Sequence, residues 1–176
     1  MDLAALSDSS LSDATGTKHR LGDLWTDQPV VLVFLRHFGC LHCREHAVQL
    51  RDRYDDIKAA GGDIVAIGTG DQRYAEAFAQ EEKIPFTVLV DDDAVAAQAA
   101  SIKTLNWFQL LHPRTWRATW QTSRRGHHVH KPGMRVKQIG ATFVIGAGDK
   151  VRYEHMDTDS TDHARIDDLV AAVRKG

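Results

Sequence analysis

Residues Val30-Val-Leu-Val-Phe-Leu35 form an unbroken apolar run rich in β-branched side chains. A strand with one wet face alternates apolar and polar residues. A run without polar positions reads as a strand buried on both faces, the condition of a parallel sheet with helices above and below it. The run is far shorter than the ~20 residues that cross a bilayer, so no membrane span is expected. After it, Gly39 breaks the pattern, and from Cys40 the apolar spacing becomes helical through Ala47, Leu50, Tyr54 and Ile57, until Gly61-Gly62 stops it. Cys40 and Cys43, the chain's two cysteines, therefore fall at a strand-to-helix turn.

The alternation continues. Residues 63–68 read as a strand, and 71–83 as a helix capped by Asp71. Residues 84–90 read as a strand with Pro85 near its start, and 91–100 as an alanine-rich helix. Residues 139–145 and 151–155, joined by the turn at 146–150, read as a hairpin. A last amphipathic helix runs through Ile166, Leu169, Val170 and Val173, with Asp162 as its expected cap. Residues 1 to about 28 read as a polar lead-in, with Leu21, Leu24 and Trp25 as packing points. This is the chain order of an α/β thioredoxin-like fold: a central mixed sheet flanked by helices, with an aromatic and basic insert before the C-terminal β-hairpin.

A chain of 176 residues supports one sizeable core, and a single domain over 1–176 is expected. Its 43% hydrophobic and 26% charged residues and net charge of -2 are those of an ordinary globular protein. The acidic, serine-rich first residues hold no basic segment followed by an apolar stretch, so a cytoplasmic location is expected. The insert, 101–138, carries eight cations, with Trp107, Phe108, Trp116 and Trp120 among them, and no acid stands between Asp93 and Asp149. His127, His128 and His130 lie in it as a solvated basic loop or a metal tract. The insert could meet an anionic substrate or a partner. The overall charge balance argues against nucleic acid.

Two cysteines three apart, in a chain expected to be cytoplasmic, do not read as a structural disulfide framework. A cysteine attacks as the thiolate, and an unperturbed thiol with a pKa of ~8.5 is only slightly ionised at neutral pH. At a helix start, free N–H groups and the positive end of the macrodipole favour the anion. Arg36 and Arg44 flank the pair as cations, and His37, His42 and His46 add donors. Arg36 and His37 end the first strand, where they either face the thiolate or are solvated. Cys40 is the expected attacking residue and Cys43 the resolving one, one helical turn away. Two other readings stay open. The cysteines pack as small hydrophobes, or they ligate zinc with His42, His46 or distant histidines, since no second C-x-x-C exists. Asp157, Asp159, Asp162 and His163 also have metal-ligand chemistry, but read more simply as a polar loop with a helix cap.

The segment Phe34-Leu-Arg-His-Phe-Gly-Cys-Leu-His-Cys-Arg-Glu45 resembles the active-site segment of the peroxiredoxin-like proteins of the AhpC/TSA antioxidant family, the group that includes prostamide/prostaglandin F synthase. Residues 140–149, 155–157 and 162–163 are similar to the same group's later strand, turn and final helix start, so the likeness runs from about residue 20 to the end. It implies a thioredoxin fold and a thiol-dependent antioxidant or reductase activity, with Cys40 and Cys43 as the redox pair and no organic cofactor. The implied substrate is a peroxide or a disulfide, or a lipid endoperoxide. The implied reductant is a thioredoxin-like protein or glutathione. Ordinary peroxiredoxins precede the attacking cysteine with Pro-x-x-x-Thr-x-x, where Val33 and His37 stand here, and carry an arginine before the later strand, near Gly140 here. Arg36 or Arg44 is then the cation on hand.

Overall fold

Residues 1–25 build structure instead of leading into it, in the computed structural model, which describes residues 1–103, 138–159 and 161–175. Helix α1 (Leu3–Asp8) is capped by Asp2, whose carboxylate accepts the Ala5 N–H at 3.0 Å. Strands β1 (Ser10–Asp13) and β2 (Lys18–Arg20) form a hairpin, and a 3-10 turn spans Leu21–Trp25. Each piece is too short to show a period in the sequence, which is why the segment reads as polar and irregular. Yet Leu6, Leu11, Leu21 and Trp25 are buried together.

The remaining elements follow the expected order. They are β3 (Val30–Phe34), α2 (Leu41–Asp52), α3 (Tyr54–Ala59), β4 (Asp63–Gly68), α4 (Gln72–Glu81), β5 (Thr87–Val90), α5 (Val95–Ala99), β6 (Ala141–Gly146), β7 (Lys150–Met156) and α6 (Ile166–Arg174). They form a seven-stranded sheet in the order β2-β1-β5-β4-β3-β6-β7. β3, β4 and β5 run parallel, whereas β6, β7 and β1 pair antiparallel to their neighbours. The expected mixed α/β sheet flanked by helices is therefore present. The insert, with its tryptophans and His127, His128 and His130, lies outside the described residues except for 101–103 and 138.

β3 sends alternate side chains to two cores. Val31, Val33 and Leu35 meet Ala47 and Leu50 of α2, Phe78 of α4, and Leu169 and Val173 of α6. Val30, Leu32 and Phe34 meet the N-terminal segment, α5 and Phe143. Three boundaries differ from expectation. The helix beginning after Cys40 breaks at Arg53, which leaves helical geometry at φ -115°, although Ile57 keeps facing the same core. The strand after Pro85 pairs only from Thr87, since proline has no N–H for the ladder. Asp162 does not cap the last helix: it accepts the Thr158 N–H and hydroxyl, and Arg165 takes the cap position without a side-chain bond.

Asp91, 2% exposed, ends β5 and accepts the N–H groups of Val95 and Ala97 with its two oxygens. Asp91→Ala leaves the buried Ala97 N–H unpaired and removes the bond to the Val95 N–H, and is expected to lower stability by about 1–3 kcal/mol, read as a lower urea midpoint at unchanged slope.

Candidate functional site

The backbone between β3 and α2 is held from several sides. The Leu35 N–H reaches the Ile67 carbonyl at 2.7 Å, which extends the β3–β4 ladder past the strand's end. The Thr69 hydroxyl donates to the Arg36 carbonyl at 2.9 Å. The Phe38 ring lies over Gly68, where a Cβ would collide with it, and tilts against Phe78 at 5.5 Å between centroids. The Cys40 N–H closes the turn onto the His37 carbonyl at 3.0 Å. Cys40 thereby takes the N-cap position of α2 in an extended conformation, with no side chain capping the helix. The N–H groups of His42 and Cys43 bond to its sulfur instead.

Cys40 and Cys43 are both free and buried, at 7% and 2% exposure. Their environments push the two thiols apart. The Cys43 thiol donates to the Cys40 sulfur, the largest influence on it. Together with the Arg36 charge and the helix-start N–H groups, this outweighs burial and pulls the Cys40 pKa down to about 6. Cys43 is pushed well above the ordinary thiol range, first by giving that hydrogen bond and then by its burial. The geometry thus produces one thiolate and one proton-bearing thiol in bonding contact.

Of the expected companions, the structure brings Arg36 into the thiol environment and buries it at 7%, with its Nε donating to the Gln138 carbonyl at 3.3 Å. Arg36 is thus not solvated at the strand end. His37 is buried too, and desolvation, with the Arg36 charge beside it, lowers its pKa to about 4, so it is a neutral neighbour at physiological pH. Arg44 is directed elsewhere. Its guanidinium meets Glu82 at 2.6 Å and Glu81 at 2.5 Å, and lies 5.7 Å over the Phe78 ring. It clamps α2 to α4, and the cation that lowers the Cys40 pKa is Arg36.

His46, His155, Asp157 and His163 form a second set. The rings of His46 and His163 stack with centroids 4.5 Å apart, and the Asp157 carboxylate sits 3.1 Å from Nδ1 of His163. Burial is the first cause lowering His46 to about 3, and it raises Asp157. Asp157, expected in a polar loop, is 4% exposed and packs where Gly140 offers no Cβ. A sequence shows no sign of this, because the glycine and the aspartate that fit each other stand on different strand ends. Among the described residues, no group of three or more His, Cys, Asp or Glu is disposed to hold a metal ion, and no helix is long and apolar enough to cross a membrane.

A seven-stranded mixed sheet between helices, with a buried thiol pair at the start of the helix after its central strand, defines a thioredoxin-fold protein of the thiol oxidoreductase type. The family described as AhpC/TSA antioxidant enzyme matches residues 49–159, and the chain belongs to it. The match begins after the cysteines. A chloroplastic thioredoxin-like protein of Arabidopsis thaliana is 27% identical over 91% of this chain and 68% of its own. Prostamide/prostaglandin F synthase of Salmo salar is 24% identical over 98% and 88%, and peroxiredoxin-like 2C of Homo sapiens is 24% identical over 97% and 79%. Among solved structures, peroxidoxin BcpB from Mycobacterium tuberculosis superposes with a TM-score of 0.69 at 25% identity, covering 94% of this chain and 91% of that one.

Two outcomes follow from the titrating groups. Alkylation of Cys40 by iodoacetamide is expected to rise with pH through a midpoint near 6, and Cys43→Ala to move that midpoint upward by removing the donor. His37 and His46 stay neutral in the folded chain but protonate near 6.5 when unfolded. Each therefore costs nothing above that pH. Below it, each removes about 1.4 kcal/mol of stability per pH unit until its folded pKa is reached. Urea midpoints measured from pH 7.5 to 4.5 in the Cys40→Ala variant, which removes the thiolate's own pH dependence, check the sign: they should fall as the pH drops below 6.5.

Proposed function

We propose that the protein is a peroxiredoxin-like peroxidase, one thioredoxin-like domain over residues 1–176, that reduces hydroperoxides through Cys40 and Cys43. The observation that carries this reading is the asymmetry of the pair. The Cys40 sulfur is held as an anion by the Cys43 thiol, the helix-start N–H groups and the Arg36 charge, while Cys43 keeps its proton.

The Cys40 thiolate attacks a peroxide oxygen. The O–O bond breaks, the alkoxide or hydroxide takes up a proton and leaves, and Cys40 becomes a sulfenic acid. Arg36 is the cation nearest the developing charge. Cys43 then attacks the Cys40 sulfur. The S–O bond breaks, water leaves, and an intramolecular disulfide remains. A thioredoxin-type dithiol or glutathione returns the pair to its reduced form by exchange, which suits a reducing compartment such as the cytoplasm. No bound organic cofactor is required. Peroxiredoxins and peroxiredoxin-like proteins among the relatives support the peroxide as substrate and the thioredoxin-type reductant.

Stopped-flow consumption of hydrogen peroxide and of an alkyl hydroperoxide, with a thioredoxin system as reductant, tests this. Cys40→Ser is expected to lose all turnover, and Cys43→Ser to give a single stoichiometric burst and then stall as the sulfenic acid. Equal turnover in wild type and both variants ends the reading. Fast insulin reduction with negligible peroxide consumption replaces it with protein disulfide exchange.

A further inference from the structure

Several buried ring nitrogens make no hydrogen bond: Nε2 of His42, His46 and His163, and Nε2 of His155, which lies 3.3 Å from the Asp162 carboxylate without bonding to it. Such atoms are rare in native proteins, and each needs a reason. These four come from two segments that pack on one another. His42 and His46 stand four apart on one side of α2. His155 ends β7, and His163 precedes α6. The planes of the stacked His46 and His163 rings are 17° apart. Nearly parallel imidazoles point their in-plane lone pairs past each other, which does not suit a shared metal ion, and two imidazolium rings would repel.

Asp157 orients this stack. Its N–H bonds to the Gly140 carbonyl at 3.1 Å, and its carboxylate accepts Nδ1–H of His163. An imidazole that gives its Nδ1 proton to a carboxylate keeps a lone pair on Nε2, the tautomer of a base. His42 immediately precedes Cys43, and His46 follows it by three residues, in the adjoining turn. Through its stack on His46, one helical turn after Cys43, His163 is placed beside that part of α2.

We propose that His163, oriented by the Asp157 carboxylate and stacked on His46, carries the proton of the resolving step. This rests on the reading of Cys40 and Cys43 given above. The proton leaves Cys43 as its sulfur attacks the Cys40 sulfenic acid, and a proton passes to the departing hydroxide. The S–S bond forms, the S–O bond breaks, one water leaves, and no other reactant is consumed. The charged and titratable groups acting on the stack are His155 on β7 and Asp157 and Asp159 in the following loop; next to them, His42 is acted on by Arg36 at the end of β3 and Glu45 on α2, and His155 meets Asp162 at 3.3 Å. At His42, burial and Arg36 disfavour a positive charge, and Glu45 and Asp159 favour it.

The test separates the two chemical steps in a single turnover with limiting peroxide, by rapid quenching and mass spectrometry from pH 5 to 8. His163→Phe keeps a ring for the stack but has no nitrogen. It is expected to oxidise Cys40 at the wild-type rate and to form the Cys40–Cys43 disulfide at least ~10-fold more slowly at pH 7, with a pH profile that differs from the wild type's. Asp157→Asn, which removes the carboxylate that orients His163, is expected to slow the same step and alter its pH profile while Cys40 oxidises at the wild-type rate. Wild-type rates and profiles in both variants overturn the inference while leaving the peroxidase reading intact. Absence of disulfide in the wild type itself overturns the peroxidase reading and the inference with it. Should His163→Phe fail to fold, Asp157→Asn decides, and a profile superimposable on wild type overturns the proposal.

Discussion

The burial of β3 on both faces is the constraint from which the rest follows. A strand with no wet side must have a neighbour on each edge and a layer on each face. β4 and β6 supply the edges, the helices α2, α4 and α6 one layer, and the N-terminal segment with α5 the other. Once Val31 and Leu32 are committed to opposite cores, the chain leaves the sheet at Leu35 in one direction only. The loop behind it is then gripped by Ile67, Thr69 and Gly68 of the neighbouring strand's end. Cys40 receives its position at the start of α2 from this backbone, before any side-chain chemistry is considered.

Burial also decides how the site's charges behave. In a poorly solvated environment a hydrogen bond to an anion is stronger than in water, and an unpaired charge is costly. The same desolvation that would raise a lone thiol therefore lets the Cys43 donor, the two backbone N–H groups and Arg36 hold Cys40 ionised. Around them His37 and His46 are kept neutral, and Arg36 is the positive charge acting on the sulfur from close by. Arg44 serves a different end: its ion pairs with Glu81 and Glu82 are buried on the arginine side, and they tie the helix that bears the cysteines to α4.

The departure from ordinary peroxiredoxins near Gly140 has a structural counterpart. A side chain at that position would run into the Asp157 carboxylate and the Phe34 carbonyl, so the missing arginine and the buried aspartate are two aspects of one packing arrangement. The positive charge beside the thiolate comes from the strand end, through Arg36. The space near β6 is given to a carboxylate that holds His163 in place.

The central strand, the following helix and the thiol pair between them were legible in the sequence, because each is a local pattern: an apolar run, a 3.6-residue period, a spacing of three. The later strands, the hairpin and Asp71 as a cap were legible on the same grounds. The N-terminal segment was not, since a six-residue helix and strands of three and four residues are too brief to carry a period, and their Leu6, Leu11 and Trp25 declare themselves only against β3 and β6. Nor was the partner of Arg44, which is set by how α4 lies across α2, or the pairing of His46 with His163, which are 117 positions apart by their numbers, 163 minus 46. The sequence by itself determined which residues could carry redox chemistry and on what kind of fold. Tertiary packing alone decided which of the cations reaches the sulfur and which histidines lose their water, because both depend on the local dielectric and on contacts between segments remote along the chain.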